Sequence, residues 1–97
     1  MEVYITEAIS LKLKEKHNVT EAEVLQCFRN RLGPDMLDLR AEHRTDPPTR
    51  WFISSTNRGR RLKIVYVRHS ADEAVVKTAY EPNITEIRIY KTMGERK

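Results

Sequence analysis

The break at Gly33-Pro34 separates a helical pattern from a strand pattern, and this limits the possible folds more than any other feature. Upstream of the break, apolar residues recur at helical spacing at Val24, Leu25, Phe28 and Leu32. The segment from Thr20 to Glu23 has the form of a capping box, in which the Thr20 hydroxyl and the Glu23 carboxylate satisfy each other's free backbone amides. We therefore predict a helix that begins after Thr20 and stops at Gly33-Pro34.

An earlier helix is expected over Glu7 to His17. Thr6 is a favourable N-cap residue, and Ile9 and Leu13 lie one turn apart. The helical pattern ends at Asn18, a residue that tolerates the left-handed conformation in which many helices stop. The first third of the chain is thus predicted to form two helices.

Downstream of the break, four segments have strand character, and the first of them is weak. They are Met36 to Glu42, Trp51 to Ile53, Leu62 to Val67, and Ala74 to Tyr80. Turn signals at Asn57 to Gly59 and at Ser70 to Glu73 separate the later strands by short connections. Short turns between strands predict an antiparallel meander of three to four strands.

The C-terminal segment fits two patterns. Ile87 and Ile89 alternate with Arg88 as in a strand, whereas Ile84 and Ile87 fit a helix that begins at Asn83. We favour the helix, because Pro82-Asn83 is a helix start, and we expect a frayed tail from Gly94 onward. The predicted fold is α+β, a single domain over residues 1–97 with two N-terminal helices, the meander and a C-terminal helix.

Arginine is concentrated between Arg40 and Arg61. This segment contains six arginines and only two acids, a surplus equal to the whole net charge of +4; the arginines are Arg40, Arg44, Arg50, Arg58, Arg60 and Arg61. Guanidinium groups grip phosphate oxygens in pairs and stack on flat rings, so their position around Trp51 suits RNA. The alternative is a solvated hairpin that is kept soluble by charge, with Trp51 buried in the core.

The remaining composition excludes several classes of protein. No apolar run approaches the length of a membrane span, and the N-terminus lacks the pattern of a signal peptide, so we expect a cytosolic protein that does not enter membranes. The single cysteine, Cys27, lies in an apolar helical pattern and is expected to be a buried hydrophobe. His17, His43 and His69 stand apart from one another, so we expect neither a metal site nor a cofactor.

Several short motifs occur in the order found in one known family. They are Lys16-His17 before the helix break, the capped second helix, Arg50, Gly59-Arg60, the strand Leu62 to Tyr66, and Glu86 four residues before Tyr90. Together they resemble the BrnT family, small ribonuclease toxins of bacterial type II toxin-antitoxin pairs with a fold similar to that of the RelE toxins. The resemblance runs from Leu11 to Tyr90 and implies an RNA substrate and a small antitoxin as partner.

The chain departs from this family pattern at three positions. Asn18 stands where the family has glycine, Thr49 where it has an acid, and Tyr80 where it has an arginine. The chain therefore resembles a divergent branch. The segment from Asp46 to Tyr80 is also similar to small bacterial proteins labelled ADP-ribosyl-dinitrogen reductase hydrolase, but it lacks the paired carboxylates that a glycohydrolase would need.

RNA cleavage without metal requires proton-transfer groups and cations around the phosphate. We expect His17 or His43 to act as acid or base, with Lys16 assisting, Arg50 and Arg60 holding the phosphate, and Tyr80 or Tyr90 donating a proton or positioning the substrate. The nucleic-acid contacts are expected from Arg44, Trp51, Arg58, Arg60 and Arg61. Lys16 and His17 also suit the C-terminal end of a helix electrostatically, which is the alternative explanation for them.

Two functions are expected. One, implied by the resemblance, is a metal-independent endoribonuclease toxin of the BrnT type, or its descendant, paired with an antitoxin. The other is a non-catalytic module that binds RNA, DNA or an acidic protein through the arginines. Cleavage of labelled RNA in the presence of a chelator separates the two.

Overall fold

A computed structural model describes residues 1–38 and 47–94 of the chain, so Arg40, His43 and Arg44 lie outside the described residues. The elements are β1 (Glu2–Tyr4), α1 (Glu7–His17), α2 (Glu21–Arg29), β2 (Met36–Leu37), β3 (Thr49–Ser55), β4 (Arg61–Ser70), β5 (Glu73–Tyr80) and α3 (Ile84–Gly94). The strands form one sheet in the order β1-β5-β4-β3-β2. The α+β class is therefore confirmed.

The sheet is mixed. Neighbouring strands from β2 to β5 pair antiparallel in chain order, as a meander does. The expectation of three to four strands was wrong at the other edge, where β1 pairs parallel with β5 and Val3 lies opposite Ala74. A strand of three residues is too short to show alternation, and its partner is remote in sequence, so no local pattern marks it.

Local caps fix the ends of α1 and the start of α2. Thr6 accepts a hydrogen bond from the Ile9 amide at 3.2 Å, and Asn18 ends α1 with a left-handed φ of 54°. At α2, the Thr20 amide donates to Glu23 at 3.0 Å, and the Glu23 amide donates to the Thr20 hydroxyl at 3.2 Å. Both of these predicted helix starts are confirmed.

The predicted end of α2 at Gly33-Pro34 was wrong. The helix ends at Arg29, and Leu32 lies beyond it with 98% of its surface exposed. The Asn30 side-chain amide instead donates to the Ser55 carbonyl and to the Asn57 side chain, both at 3.0 Å. A tertiary contact with the β3–β4 hairpin therefore replaces the last predicted turn of the helix.

The helices cover both faces of the sheet. Leu13 of α1 and Cys27 of α2 are fully buried in one cluster with Phe52 and Ile64. Because side chains alternate along a strand, the neighbours of these sheet residues face the other way, toward α3. Burial raises the pKa of the Cys27 thiol to about 11, which agrees with the predicted role of a buried hydrophobe.

The C-terminal element is the favoured helix and not a strand. Asn83 and Glu86 form a second capping box, with the Glu86 amide donating to the Asn83 side chain at 2.8 Å and the Asn83 amide donating to Glu86 at 3.0 Å. In the described part of the chain, no helix has both the length and the apolar character needed to cross a membrane.

Candidate functional site

A partly buried group of polar and aromatic side chains lies between α3 and the sheet. We call it the Lys63 cluster, and its members are His17, Trp51, Lys63, Tyr80, Glu86 and Tyr90. It contains four of the residues that the sequence predicted for function.

Strand register places the sheet members of the Lys63 cluster on one face. Lys63 lies opposite Ile53 on β3 and opposite Tyr80 on β5. Trp51 is two residues from Ile53 and therefore points to the same side. The first turn of α3 holds Glu86 above this face, because the capping box fixes that turn.

Lys63 and Glu86 form the centre of the Lys63 cluster. The Lys63 ammonium lies 2.7 Å from Glu86 Oε2, and the Tyr80 hydroxyl donates to the same oxygen at 2.9 Å. The ammonium also lies 4.6 Å from the centre of the Trp51 ring and 5.6 Å from that of Tyr80. With Lys63 only 7% exposed, these contacts compensate a cation that is largely removed from water.

His17 joins the Lys63 cluster through Tyr80. It is the last residue of α1, and its ring centre lies 5.6 Å from that of Tyr80. Lys16, the preceding residue, is exposed. The structure thus brings the predicted groups His17 and Tyr80 together at the end of α1, and Lys16 precedes His17 in the last turn of this helix.

Electrostatics fix the protonation of two members of the Lys63 cluster. Burial and the hydrogen bond to Glu86 raise the pKa of Tyr80, although Lys63 opposes them. Burial acts to raise the pKa of Glu86, but hydrogen bonds from Lys63 and the Asn83 amide outweigh it, and the pKa lies below the ordinary value of 4.5. At neutral pH, Tyr80 is therefore a protonated donor and Glu86 an ionised acceptor.

Arg60 lies near this site, but its donors are occupied. Its guanidinium lies 3.0 Å from a carboxylate oxygen of Glu23 and 3.0 Å from one of Glu81. It also donates to the carbonyl of Asn18 at 2.8 Å and to that of His17 at 3.3 Å. Arg60 therefore ties the end of α1 to α2 and to the segment after β5, and its fork is not presented to a phosphate.

Arg50 does not converge with Tyr80. It lies opposite Tyr66, three residues along β4 from Lys63, or roughly 10 Å at the strand rise per residue. As the neighbour of Trp51, it also points to the opposite face of the sheet. The predicted phosphate clamp of Arg50 and Arg60 is thus not assembled in this structure.

The other predicted residues have separate surroundings. Trp51 is 9% exposed and packs against Tyr90 with ring centres 5.7 Å apart, so its face is not open to a base. Tyr90 donates its hydroxyl to the Pro34 carbonyl at 2.9 Å. Arg58 is exposed in the β3–β4 turn, and Arg61, at the start of β4, is exposed as well.

Sequence reasoning missed Lys63 and used Glu86 only as part of a motif. A lysine between Leu62 and Ile64 in an apolar strand is a signal that could have found the pair, since a lysine on a covered strand needs a carboxylate. The spacing from Asn83 to Glu86 is that of a capping box and places this carboxylate at a helix start.

No metal-binding group is present in residues 1–38 and 47–94, since no three His, Cys, Asp or Glu side chains there could hold an ion together. The sequence matches no protein-family model and no curated protein. The resemblance to the BrnT family therefore stays a prediction from the motifs.

Proposed function

We propose that the chain binds RNA at the end of α1 and cleaves it without a metal ion, as a diverged relative of the BrnT ribonuclease toxins. The observation that carries this proposal is the contact between His17 and Tyr80, with Glu86 and Lys63 behind it. It places an imidazole, whose ring nitrogens can accept or donate a proton, beside a tyrosine hydroxyl, on the ends of two rigid elements.

The chemistry assigns a role to each of these residues. His17 accepts the proton of the 2′-hydroxyl as that oxygen attacks phosphorus, and the bond to the 5′-oxygen breaks to leave a 2′,3′-cyclic phosphate. The Tyr80 hydroxyl, which donates to Glu86 in the free protein, turns to donate to the departing 5′-oxygen. Lys16, exposed beside His17, adds positive charge near the phosphate.

A labelled RNA incubated with the purified protein in chelator tests the proposal. Wild-type protein should produce fragments that end in a cyclic phosphate, and His17→Ala should slow cleavage about 100-fold or more, the usual contribution of a general acid or base. Tyr80→Phe should also slow it. His69→Ala is the matched control, because His69 is exposed near the far end of β4 and should leave the rate unchanged. Cleavage that survives His17→Ala would refute the assignment.

The second candidate is a binding module that does not cleave. Two observations favour it, namely the occupied donors of Arg60 and the remote position of Arg50, which leave the phosphate of a bound RNA without the predicted clamp. In the same assay it predicts RNA that is retained but intact. Binding should then weaken linearly with the logarithm of salt concentration, with a slope reduced by about one for each of Arg58→Ala and Arg61→Ala.

A further inference from the structure

A groove of about 580 Å³ lies between α3, β3 and the segment that follows α2. We call it the α3 groove, and the lining residues that matter here are Leu32, Ile53, Arg61, Ile87, Tyr90 and Lys91. It lies outside the Lys63 cluster except for Tyr90, whose ring belongs to both.

The walls of the α3 groove are apolar and its edge carries an unusually exposed leucine. Leu32 is 98% exposed, whereas Ile53 and Ile87 are half-buried in the groove. Exposed apolar side chains are common singly, but here Leu32 adjoins further apolar surface. Such a surface is typical of a protein interaction site.

The charge of the α3 groove is positive. Arg61 and Lys91 line it, and none of the described residues in its lining is acidic. Neither cation forms an ion pair with a described residue. Carboxylates of a ligand would complement the positive charge of Arg61 and Lys91.

The groove is preformed. The Tyr90 hydroxyl donates to the Pro34 carbonyl at 2.9 Å and so holds α3 to the opposite wall. Gly33 makes this approach possible, because a side chain there would meet the Tyr90 ring, whose Cζ lies 3.0 Å from the position of a Cβ. A ligand therefore finds the apolar walls in place without a rearrangement.

We propose that the α3 groove docks a segment of a partner protein, with apolar side chains that pack against Leu32, Ile53 and Ile87 and carboxylates that pair with Arg61 and Lys91. An open groove with a fully exposed leucine at its edge suits a polypeptide better than a small molecule, which needs to be mostly enclosed. RNA is disfavoured, because Leu32, Ile53 and Ile87 are aliphatic and do not stack on bases, and the half-buried ring of Tyr90 already packs against Trp51. This inference does not depend on the proposed cleavage of RNA.

Selection of a random peptide library displayed on phage tests the proposal directly. Immobilised wild-type protein is the bait, and binders to Leu32→Asp are removed beforehand. The selected peptides should carry Asp or Glu next to bulky apolar residues. Synthetic, fluorescently labelled versions should bind Arg61→Glu or Lys91→Glu about tenfold more weakly, and Leu32→Asp at least as weakly.

Two matched variants control for general effects of charge and exposure. Arg58→Glu reverses an exposed arginine at the hairpin tip, and Leu11→Asp changes a leucine of α1 that is 55% exposed. Both should bind the peptides as the wild type does. Leu32 and Arg61 are exposed, so circular dichroism should show that their variants stay folded.

Several results would overturn the proposal. They are the absence of any enriched peptide, enriched peptides without acidic residues, and binding that the groove variants leave unchanged. Self-association that sedimentation detects in the wild type but not in Leu32→Asp would assign the groove to a second copy of the chain instead. RNA binding that is lost in Leu32→Asp and kept in Leu11→Asp would assign it to nucleic acid. Failure of the ribonuclease assay would not affect the peptide result.

Discussion

Replacing Arg60 with alanine should destabilise the fold by about 3 kcal/mol. Its guanidinium pairs with Glu23, whose side chain is 24% exposed, and with Glu81, which is 66% exposed. We assign about 1.5 kcal/mol to the half-buried Glu23 pair and about 0.5 to the exposed Glu81 pair. The bond to the Asn18 carbonyl at 2.8 Å adds about 1 kcal/mol. For a domain of this size, the total corresponds to a fall in Tm of about 15 °C.

Urea denaturation followed by circular dichroism and by Trp51 fluorescence measures this loss. Arg60→Lys keeps the charge but not the planar fork, so it should recover less than half of the lost stability. Glu23→Gln can still accept the Thr20 hydrogen bond of the capping box, so a double-mutant cycle with Arg60→Ala isolates the ion pair. The coupling energy should be about 1.5 kcal/mol.

Arg58→Ala is the matched control, because Arg58 is exposed in the adjacent turn and should change stability by less than about 0.5 kcal/mol. If Arg60→Ala is as harmless as Arg58→Ala, the contacts of Arg60 do not hold the fold. Its guanidinium would then be free for phosphate, as the sequence pattern suggested. Arg60 also donates to the His17 carbonyl, so its loss can loosen the end of α1. RNA binding by Arg60→Ala should therefore be measured well below the Tm of this variant, where its fold is intact.

Two further predictions concern Glu86 and Gly33. The lowered pKa of Glu86 means that its ionised form is stabilised by folding, so this stability is present at neutral pH and is lost as pH falls below the ordinary value of 4.5. Glu86→Gln should cost about 2 to 4 kcal/mol at pH 7, and the difference in urea midpoint between wild type and variant should shrink as the pH falls below 4.5; the exposed Glu15→Gln should show no such difference. Gly33→Ala should cost about 1 to 2 kcal/mol, because its methyl group displaces the Tyr90 hydroxyl from Pro34. In a Tyr90→Phe background this cost should shrink, and an equal cost in both backgrounds would contradict the steric explanation.

Helix starts were predictable from the sequence because their causes are local. Thr6, Thr20 and Asn83 each cap a helix through contacts within three residues. The end of α2 was not predictable in this way, since it depends on the contact between Asn30 and the β3–β4 hairpin. The parallel strand β1 depends likewise on a partner, β5, that lies about 70 residues further along the chain.

The same distinction between local and long-range contacts applies to the candidate site. His17 could be found at the end of α1 because its position depends on the local helix pattern. The Lys63–Glu86 pair could not, because the two residues are joined only when α3 folds over the sheet. Linear spacing also hid the partners of Arg60, since Glu23 and Glu81 lie in distant parts of the chain.

The neighbouring arginines of the β3–β4 hairpin show why charge counted along a sequence does not predict a binding surface. Arg58 projects from the turn into solvent, Arg60 is folded against Glu23 and Glu81, and Arg61 lines the α3 groove. The surroundings of Arg60 and Arg61 differ because these two residues are consecutive where β4 begins, and consecutive side chains along a strand point in opposite directions. An anion that binds near the end of α1 would therefore meet Lys16 and not the fork of Arg60. In the proposed RNA site, Arg60 would act by holding His17 in place, so its loss should reduce RNA binding and stability together, whereas loss of Lys16 should reduce RNA binding alone.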